Sequence, residues 1–142
     1  TGKEEYQAVM DGVSDIRTDN RYTAQSYIEN MGSILAAADI ALCRAGATSI
    51  AELTALGIAA VLVPYPYATD DHQTKNARAM VDHKAGLLVP DSQLDELLRP
   101  TLLELIENKG RRILMAHESL ELGQRNSAQL LVDSIYSVVK DK

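Results

Sequence analysis

The segment Cys43-Arg-Ala-Gly-Ala-Thr-Ser-Ile-Ala-Glu52 joins an apolar run to a helical pattern through a turn of small residues. Gly46 permits close backbone approach or a positive φ angle. The free N–H groups of the helix that follows, together with its dipole, attract an anion. Arg44 can add a charge-assisted contact to a phosphate, and Glu52 can accept hydrogen bonds from sugar hydroxyls. The segment therefore predicts a site for a phosphorylated ligand.

The same residues also fit a purely structural interpretation. Ser49-Ile-Ala-Glu52 matches a capping box, in which Ser49 and Glu52 satisfy the free N–H groups at a helix start. The glycine spacing is neither that of the Rossmann fingerprint nor that of a Walker loop. The residues alone leave both interpretations open, and the two are not exclusive.

A second segment, Pro64-Tyr-Pro-Tyr-Ala-Thr-Asp-Asp-His-Gln-Thr-Lys-Asn76, runs from a proline-rich loop into a helix. Gln73 and Asn76 share a helix face, and their amides can donate to and accept from sugar hydroxyls. The structural alternative is that Asp70 or Asp71 caps the helix and the other polar residues form its solvated face. On the residues alone we favour this alternative.

The sequence gives little support for a metal site or for a catalytic nucleophile. The three histidines are not at zinc-ligand spacing. Asp70 and Asp71 are adjacent, so they do not face each other on a helix as an acid–base pair would. Cys43 ends an apolar run, where a buried, unreactive thiol is usual. We expect no metal and no cofactor.

Strands and helices must alternate to position these segments. Apolar runs predict strands over 39–43, 60–63 and 87–89, and a further strand is predicted over 21–28. The predicted helices are 4–13, 30–37, 49–56 closed by Gly57, 71–85 closed by Gly86, 93–107 with a boundary at Pro100, 111–122 and 126–139. This alternation is typical of an α/β fold with a parallel sheet. Ligands bind beyond the carboxyl ends of such strands, which places both segments at one edge.

Composition narrows the function classes. The 142 residues include one cysteine, which excludes an intramolecular disulfide and a Cys-based zinc cluster. The formal net charge is −6 and no block of Lys and Arg is present, whereas a nucleic-acid-binding domain usually needs a basic face. No apolar run approaches the roughly 20 residues of a membrane span. We expect one domain that binds no nucleic acid.

Together the two segments resemble the MurG family of bacterial UDP-N-acetylglucosamine–N-acetylmuramyl-(pentapeptide) pyrophosphoryl-undecaprenol N-acetylglucosamine transferases. The similarity rests on residues 39–52, Val63-Pro-Tyr-Pro-Tyr67, Asp70-Asp-His-Gln-Thr-Lys-Asn-Ala77 and the opening Thr1-Gly2-Lys3. It runs in order from residue 1 to about residue 140. The resemblance implies a Rossmann-like parallel sheet, the C-terminal half of a glycosyltransferase-B fold, lacking its first strands.

The resemblance also implies a site for UDP-N-acetylglucosamine made of Tyr27, Ile28, Arg44, Gly46, Ala47, Thr48, Ser49, Glu52, His72, Gln73 and Asn76. The first two would line the uracil pocket, Ile28 partly through its backbone. Arg44 and the turn Gly46-Ala-Thr-Ser49 would lie against the diphosphate and ribose, and Glu52 would hold ribose hydroxyls. The last three would face the N-acetylglucosamine. No catalytic residue of the family is expected in this chain.

The implied reaction moves N-acetylglucosamine from UDP to the 4-hydroxyl of the muramyl unit of lipid I and yields lipid II, the peptidoglycan precursor. The anomeric centre inverts, so a base must deprotonate the acceptor hydroxyl. A helix terminus and Arg44 would stabilise the leaving UDP in place of a metal.

Parts of the family pattern have no counterpart in this sequence. These are its Gly-Gly-Ser loop, the first strands of the domain, and the acceptor domain with its base and its membrane-contacting patch. The expectation is one incomplete UDP-sugar-binding domain over 1–142, inactive alone, that would meet lipid I and the membrane only through a missing N-terminal domain. The implied location is cytoplasmic, peripheral on the inner face of the bacterial membrane.

Two other functions stay open. One is a different UDP-sugar enzyme of the same fold, such as an epimerase. The other is a non-catalytic α/β module that binds a nucleotide or a partner protein. Ligand choice separates the three: N-acetylated UDP sugars for the first function, other UDP sugars for the second, and adenine nucleotides or none for the third.

Overall fold

The computed structural model describes residues 5–12 and 22–140, which fall into two compact units within residues 1–34 and 35–142. The first unit holds α1 (Tyr6–Gly12) and the start of α2 (Met31–Ala36). Asn30 opens α2, because its Oδ1 accepts a hydrogen bond from the Ser33 N–H at 3.0 Å. The helices predicted over 4–13 and 30–37 are confirmed. The Thr1-Gly2-Lys3 segment lies outside the described residues.

The strand predicted over 21–28 is wrong for its described part, residues 22–28. Exposure alternates along these residues as it does in a half-buried strand. They are irregular and pair with no strand among the described residues. A strand needs a neighbour that completes its ladder of hydrogen bonds, and local alternation cannot supply one.

The second unit is built on a sheet of three parallel strands in the order β1 (Ile40–Cys43), β2 (Ala59–Leu62) and β3 (Gly86–Leu88). In register, Ile40 lies opposite Ala59 and Ala60 lies opposite Gly86. The connections are α3 (Ala47–Leu56) and α4 (His72–Asp82). The chain continues with α5 (Leu94–Glu107), α6 (Lys109–Leu122) and α7 (Ser127–Lys140). The predicted α/β fold with a parallel sheet is confirmed.

Every residue of β2 is buried, and alternate side chains enter two separate apolar clusters. Ala60 and Leu62 belong to the cluster that contains Leu53 of α3 and Met80 of α4. Ala59 and Val61 belong to the cluster that includes residues of α5 and α6. Helices therefore cover both faces of the sheet, as the short, wholly apolar strands predict.

Gly57 ends α3, as predicted, with a left-handed φ of 67°. The Ile58 N–H donates to the Leu53 carbonyl at 3.1 Å, and the Gly57 N–H donates to the Thr54 carbonyl at 3.3 Å. This pair of bonds is a Schellman motif, which satisfies the last carbonyls of the helix.

Gly86 does not close α4, contrary to the prediction. The helix ends at Asp82, and Lys84 takes the left-handed conformation with φ of 58°. The Ala85 N–H donates to the Met80 carbonyl at 2.8 Å, so a lysine completes the motif that usually uses glycine. Gly86 begins β3, where a Cβ would lie 3.3 Å from the Ala60 carbonyl oxygen. The close approach of β2 and β3 therefore favours a small residue at this position.

The boundary predicted at Pro100 is also wrong, since α5 continues through it. Proline removes one N–H from the helix ladder. Leucines on both sides of Pro100, including Leu98 and Leu102, pack against the same apolar cluster, and this packing holds the two halves in one helix. No helix in the described ranges is long and apolar enough to cross a membrane.

Replacing Gly57 by alanine should lower the free energy of unfolding by about 1–2 kcal/mol, because a left-handed φ is unfavourable for a residue with a Cβ. That Cβ would also lie 3.1 Å from the Ala116 carbonyl oxygen and from the Leu120 Cβ. Urea unfolding measures the change. Gly110→Ala is the matched control, since its Cβ would meet nothing nearer than 3.6 Å. Equal stability of the two variants would contradict this account.

Replacing Lys84 by glycine should raise the free energy of unfolding by about 0.5 kcal/mol. Glycine relieves the left-handed strain but loses more entropy on folding, so the net gain is small. Urea unfolding at matched protein concentration is again the measurement. Lys84→Ala keeps the backbone strain and should leave stability unchanged. If Lys84→Ala raises the free energy of unfolding as much as Lys84→Gly does, the lysine side chain, rather than the left-handed backbone, is the source of the destabilisation.

Candidate functional site

The helix α3 starts with free N–H groups. It begins at Ala47, and its N-cap is Gly46, whose backbone is extended (φ −66°, ψ 148°) and whose position supplies no side-chain cap. The first bond of the helix runs from the Ile50 N–H to the Gly46 carbonyl at 3.0 Å. The N–H groups of residues 47–49 therefore lack a partner within the helix, and an anion is well placed to accept from them.

The capping box predicted from Ser49 and Glu52 is wrong. Ser49 is the third residue of α3, so it cannot occupy the N-cap position. The reason is that the buried Ala45 and the small Gly46 let the helix begin two residues earlier than expected. Glu52 is exposed and has no partner among the described residues. The structural interpretation of this segment therefore fails, and the ligand interpretation remains.

Thr48, Ser49 and Glu52 share one face of α3. Residues three and four apart lie one above the other on a helix, and side chains lean toward its N-terminus. Glu52 therefore lies one turn along α3 from the residues that carry the free N–H groups, on the same side of the helix. One face of α3 thus offers backbone donors at its tip and a carboxylate acceptor one turn further along.

The helix α4 starts from a strained turn. Asp70 and Asp71 both take left-handed φ angles, 51° and 55°, in the short 3₁₀ turn Thr69–Asp71. Asp71 occupies the N-cap position of α4, as the structural alternative allowed, but neither carboxylate makes a capping hydrogen bond to the helix. Lys75 supports the turn, since its Nζ donates to the Asp70 carbonyl at 3.0 Å. A left-handed φ is unfavourable for a residue with a Cβ, although aspartate adopts it more readily than most residues, and such residues cluster at functional sites.

One amide side chain of the second segment, Asn76, joins it to the first, and another, Gln73, holds the loop of its own segment. The Asn76 Nδ2 donates to the Ala45 carbonyl, in the turn after β1, at 3.1 Å. The Gln73 Oε1 accepts from the Tyr65 N–H, in the loop after β2, at 3.0 Å. The two segments therefore meet at the carboxyl edge of the sheet, where the topology rule placed them.

Arg44 contacts residues beyond the ends of the other two strands. Its Nη1 lies 3.4 Å from the Val63 carbonyl oxygen and 3.2 Å from the Pro64 carbonyl oxygen. The same nitrogen lies 2.5 Å from Asp91 Oδ1, in an ion pair. Its Cζ stands 5.6 Å from the ring centroid of Tyr65. Sequence reasoning missed Asp91 and Tyr65, although both follow a strand end, which is the signal that singled out Arg44.

The other predicted site residues are not brought into this network. His72 is exposed, and its Nε2 lies 3.8 Å from Asp70 Oδ2. Tyr27, 68% exposed, and Ile28 belong to the first unit, so their uracil role stays a prediction. Burial raises the pKa of the Cys43 thiol, which makes it a poor nucleophile.

A cavity of about 390 Å³ is lined by residues of α3 and α4, including Ala47, Asn76, Met80 and His83, and by residues at the end of α6 and the start of α7. Within 5–12 and 22–140, no group of three His, Cys, Asp or Glu side chains is arranged to hold a metal ion.

Residues 1–134 match the model of the glycosyltransferase family 28 C-terminal domain. The chain is 40% identical over 141 residues to the UDP-N-acetylglucosamine–N-acetylmuramyl-(pentapeptide) pyrophosphoryl-undecaprenol N-acetylglucosamine transferase of Chlorobium phaeobacteroides. It is 38% identical to the transferase of that name from Lactiplantibacillus plantarum. These matches cover 99% of this chain and 38% and 39% of the two relatives.

The fold is similar to that in the crystal structure of Acinetobacter baumannii MurG, with a TM-score of 0.85 and 31% identity. That match covers 96% of this chain and 41% of the MurG chain. The chain thus spans about two fifths of the length of the relatives it matches. The expected fold, the C-terminal half of a glycosyltransferase-B fold, agrees with this match.

Replacing Ser49 by alanine should change the free energy of unfolding by less than about 0.5 kcal/mol, because Ser49 caps nothing. Asn108→Ala is the matched comparison, since the Asn108 Oδ1 accepts from the Arg111 N–H at 2.9 Å as the N-cap of α6. That variant should lose about 1 kcal/mol. Urea unfolding compares the two. If Ser49→Ala lowers the free energy of unfolding as much as Asn108→Ala does, Ser49 caps the helix after all and the capping-box interpretation is right.

Proposed function

The chain belongs to the glycosyltransferase family 28 C-terminal domain family, and on that premise we propose that it is the donor-binding part of an inverting glycosyltransferase. The reaction moves N-acetylglucosamine from UDP-N-acetylglucosamine to lipid I and forms lipid II in peptidoglycan synthesis. One observation carries the proposal: the hydrogen bond from Asn76 to the Ala45 carbonyl joins the two segments of the predicted donor site into one surface.

The diphosphate is assigned to the start of α3. Its oxygens would accept from the free N–H groups of Ala47, Thr48 and Ser49, and the helix dipole adds to the attraction. The space beside the Gly46 Cα is open to the diphosphate, since a Cβ built there would meet no protein atom nearer than 3.9 Å. Arg44 uses Nη1 for its protein contacts, and its other nitrogens have no partner among the described residues. They remain able to donate to an anion at this edge.

Glu52 is assigned to the ribose. A carboxylate accepts hydrogen bonds and donates none, so it suits the adjacent 2′- and 3′-hydroxyls of a ribose. Its exposure and its lack of a partner in the described part of the chain leave its oxygens free. It lies one turn along α3 from Thr48 and Ser49, on the same face, so it is assigned to the group next to the diphosphate.

The N-acetylglucosamine is assigned to the first turns of α4. Gln73 and Asn76 each use one side-chain amide atom in a hydrogen bond to the backbone. The Gln73 Nε2 is left to donate to the sugar, and the Asn76 Oδ1 is left to accept from it. His72 is exposed beside them and can bond a hydroxyl in either role, depending on its tautomer. Tyr27 and Ile28 are proposed for the uracil on the strength of the family resemblance.

The remaining steps are assigned to protein outside this chain. Inversion needs a base on the acceptor hydroxyl, and we place that base, the lipid I site and the membrane contact in the acceptor domain of the family. Residues 1–142 then form a UDP-sugar-binding domain of a cytoplasmic enzyme peripheral to the membrane. The residues in this chain hold the donor and stabilise the UDP as it leaves.

Calorimetric titration of the chain should show saturable binding of UDP-N-acetylglucosamine in preference to UDP-glucose. Glu52→Ala should weaken this binding about tenfold or more, because a hydrogen bond to a charged group contributes about 1.5–3 kcal/mol. Gln73→Ala should weaken it about fivefold, as expected for a neutral hydrogen bond.

Glu107→Ala and Gln129→Ala are the matched controls, since they remove an exposed carboxylate and an exposed amide on α5 and α7. Circular dichroism checks the fold of each variant. If Glu52→Ala lowers the unfolding midpoint and leaves affinity unchanged, its role is structural. A folded wild-type chain that binds neither sugar would contradict the proposed function for this chain.

A further inference from the structure

One peptide unit links Arg44 to the sugar-facing amide of Gln73. The Pro64 carbonyl and the Tyr65 N–H belong to the same planar peptide group. The carbonyl oxygen lies 3.2 Å from Arg44 Nη1, and the N–H donates to Gln73 Oε1 at 3.0 Å. Because the group is rigid, the contact that holds its carbonyl also aims its N–H. The guanidinium of Arg44 therefore influences where Gln73 stands.

The direction of the Gln73 amide follows from this bond. A backbone N–H can only donate, so the atom that faces it must be Oε1. The Nε2 group is then left to donate to a ligand. Asn76 is held in the opposite sense, because its Nδ2 donates to the Ala45 carbonyl and leaves Oδ1 to accept. The two amides thus present opposite hydrogen-bonding polarity, each set by backbone.

Asp91 holds Arg44 in this arrangement. Nη1 carries two hydrogens but has three acceptors, the Val63 and Pro64 carbonyls and the Asp91 carboxylate. The carboxylate contact, at 2.5 Å, is the closest and carries the opposite charge. The side chains of Arg44 and Asp91 are 48% and 31% exposed, so the pair adds little to overall stability. Its effect is to confine the guanidinium to one position.

Tyr65 completes the arrangement. Its ring stands 5.6 Å from the Arg44 Cζ on one side and 5.6 Å, edge to face at 72°, from the Tyr67 ring. Contacts of this geometry favour one orientation of the loop after β2. The loop is thereby held by Arg44 through a carbonyl and a ring.

We propose that Asp91 and Arg44 are a pair of positioning residues that hold the Pro64–Tyr65 peptide and so fix Gln73 as a hydrogen-bond donor toward the sugar. Neither residue needs to touch the sugar for this role. The selectivity consequence rests on the proposed function, whereas the positioning itself is a property of the ligand-free chain.

Hydrogen exchange of the Tyr65 amide, measured by NMR on the ligand-free chain, tests the positioning directly. Gln73→Ala removes the acceptor and should speed exchange about twofold to tenfold, as expected for loss of one hydrogen bond. Asp91→Ala should speed the same amide by a similar factor. Asp91→Asn keeps an oxygen acceptor and should restore most of the protection, which a loss of global stability would not explain. Glu104→Ala removes the carboxylate that pairs with Arg111 and is the matched control, with no change expected at Tyr65.

Titration with the two UDP sugars tests the consequence. Asp91→Ala should reduce the preference for UDP-N-acetylglucosamine over UDP-glucose about twofold to tenfold, and Asp91→Asn should recover most of it. Unchanged Tyr65 exchange in Asp91→Ala would overturn the proposal, whatever the binding data show. Faster exchange with no binding of either sugar by the wild type would support the positioning and count against the proposed function instead.

Discussion

The burial of β2 on both faces is the constraint on which the second unit depends. Each of its four residues is enclosed, with alternate side chains committed to different clusters, so a shift of one residue would exchange the two sets. That register aligns β1 and β3 as parallel neighbours on either side of β2. Parallel strands end at the same edge, and each hydrogen bond of Arg44, Gln73 and Asn76 described above has one partner within a few residues of those ends. The position of the site is a consequence of how the core is packed.

The turn after β1 brings the functional groups at this edge of the sheet together. Three consecutive residues have separate tasks: Arg44 reaches the loop after β2 and the residue after β3, Ala45 offers its carbonyl to Asn76, and Gly46 opens α3. A larger residue at the fully buried Ala45 would displace α4 or α3. Compactness at this turn therefore brings a charged side chain, a backbone acceptor and a helix start within reach of one ligand.

Side-chain caps are absent at the helix starts of the site, although α5, which lies outside it, also starts without one. Asn30 and Asn108 cap α2 and α6 with side-chain oxygens, whereas α3 starts with no side-chain cap and α4 follows two aspartates in left-handed conformations. An uncapped helix start and a strained turn each cost stability, and both occur at the edge where a ligand would bind. The free N–H groups of α3 suit a diphosphate, so the proposed donor would supply what the fold leaves unsatisfied.

Local pattern in the sequence was enough for the fold class, the three paired strands, the stop at Gly57 and the edge at which the two segments meet, since apolar runs report burial and parallel strands share one carboxyl edge. Only the tertiary structure decided which partner each polar side chain takes. Arg44 pairs with a carboxylate 47 residues away, and Asn76 bonds a carbonyl 31 residues away. The strand over 21–28 failed for the same reason, because no described strand pairs with it, whereas the capping box at Ser49 failed because α3 begins two residues earlier than expected. Periodicity describes neighbours along the chain, whereas hydrogen bonds and ladders are chosen among groups that folding brings together.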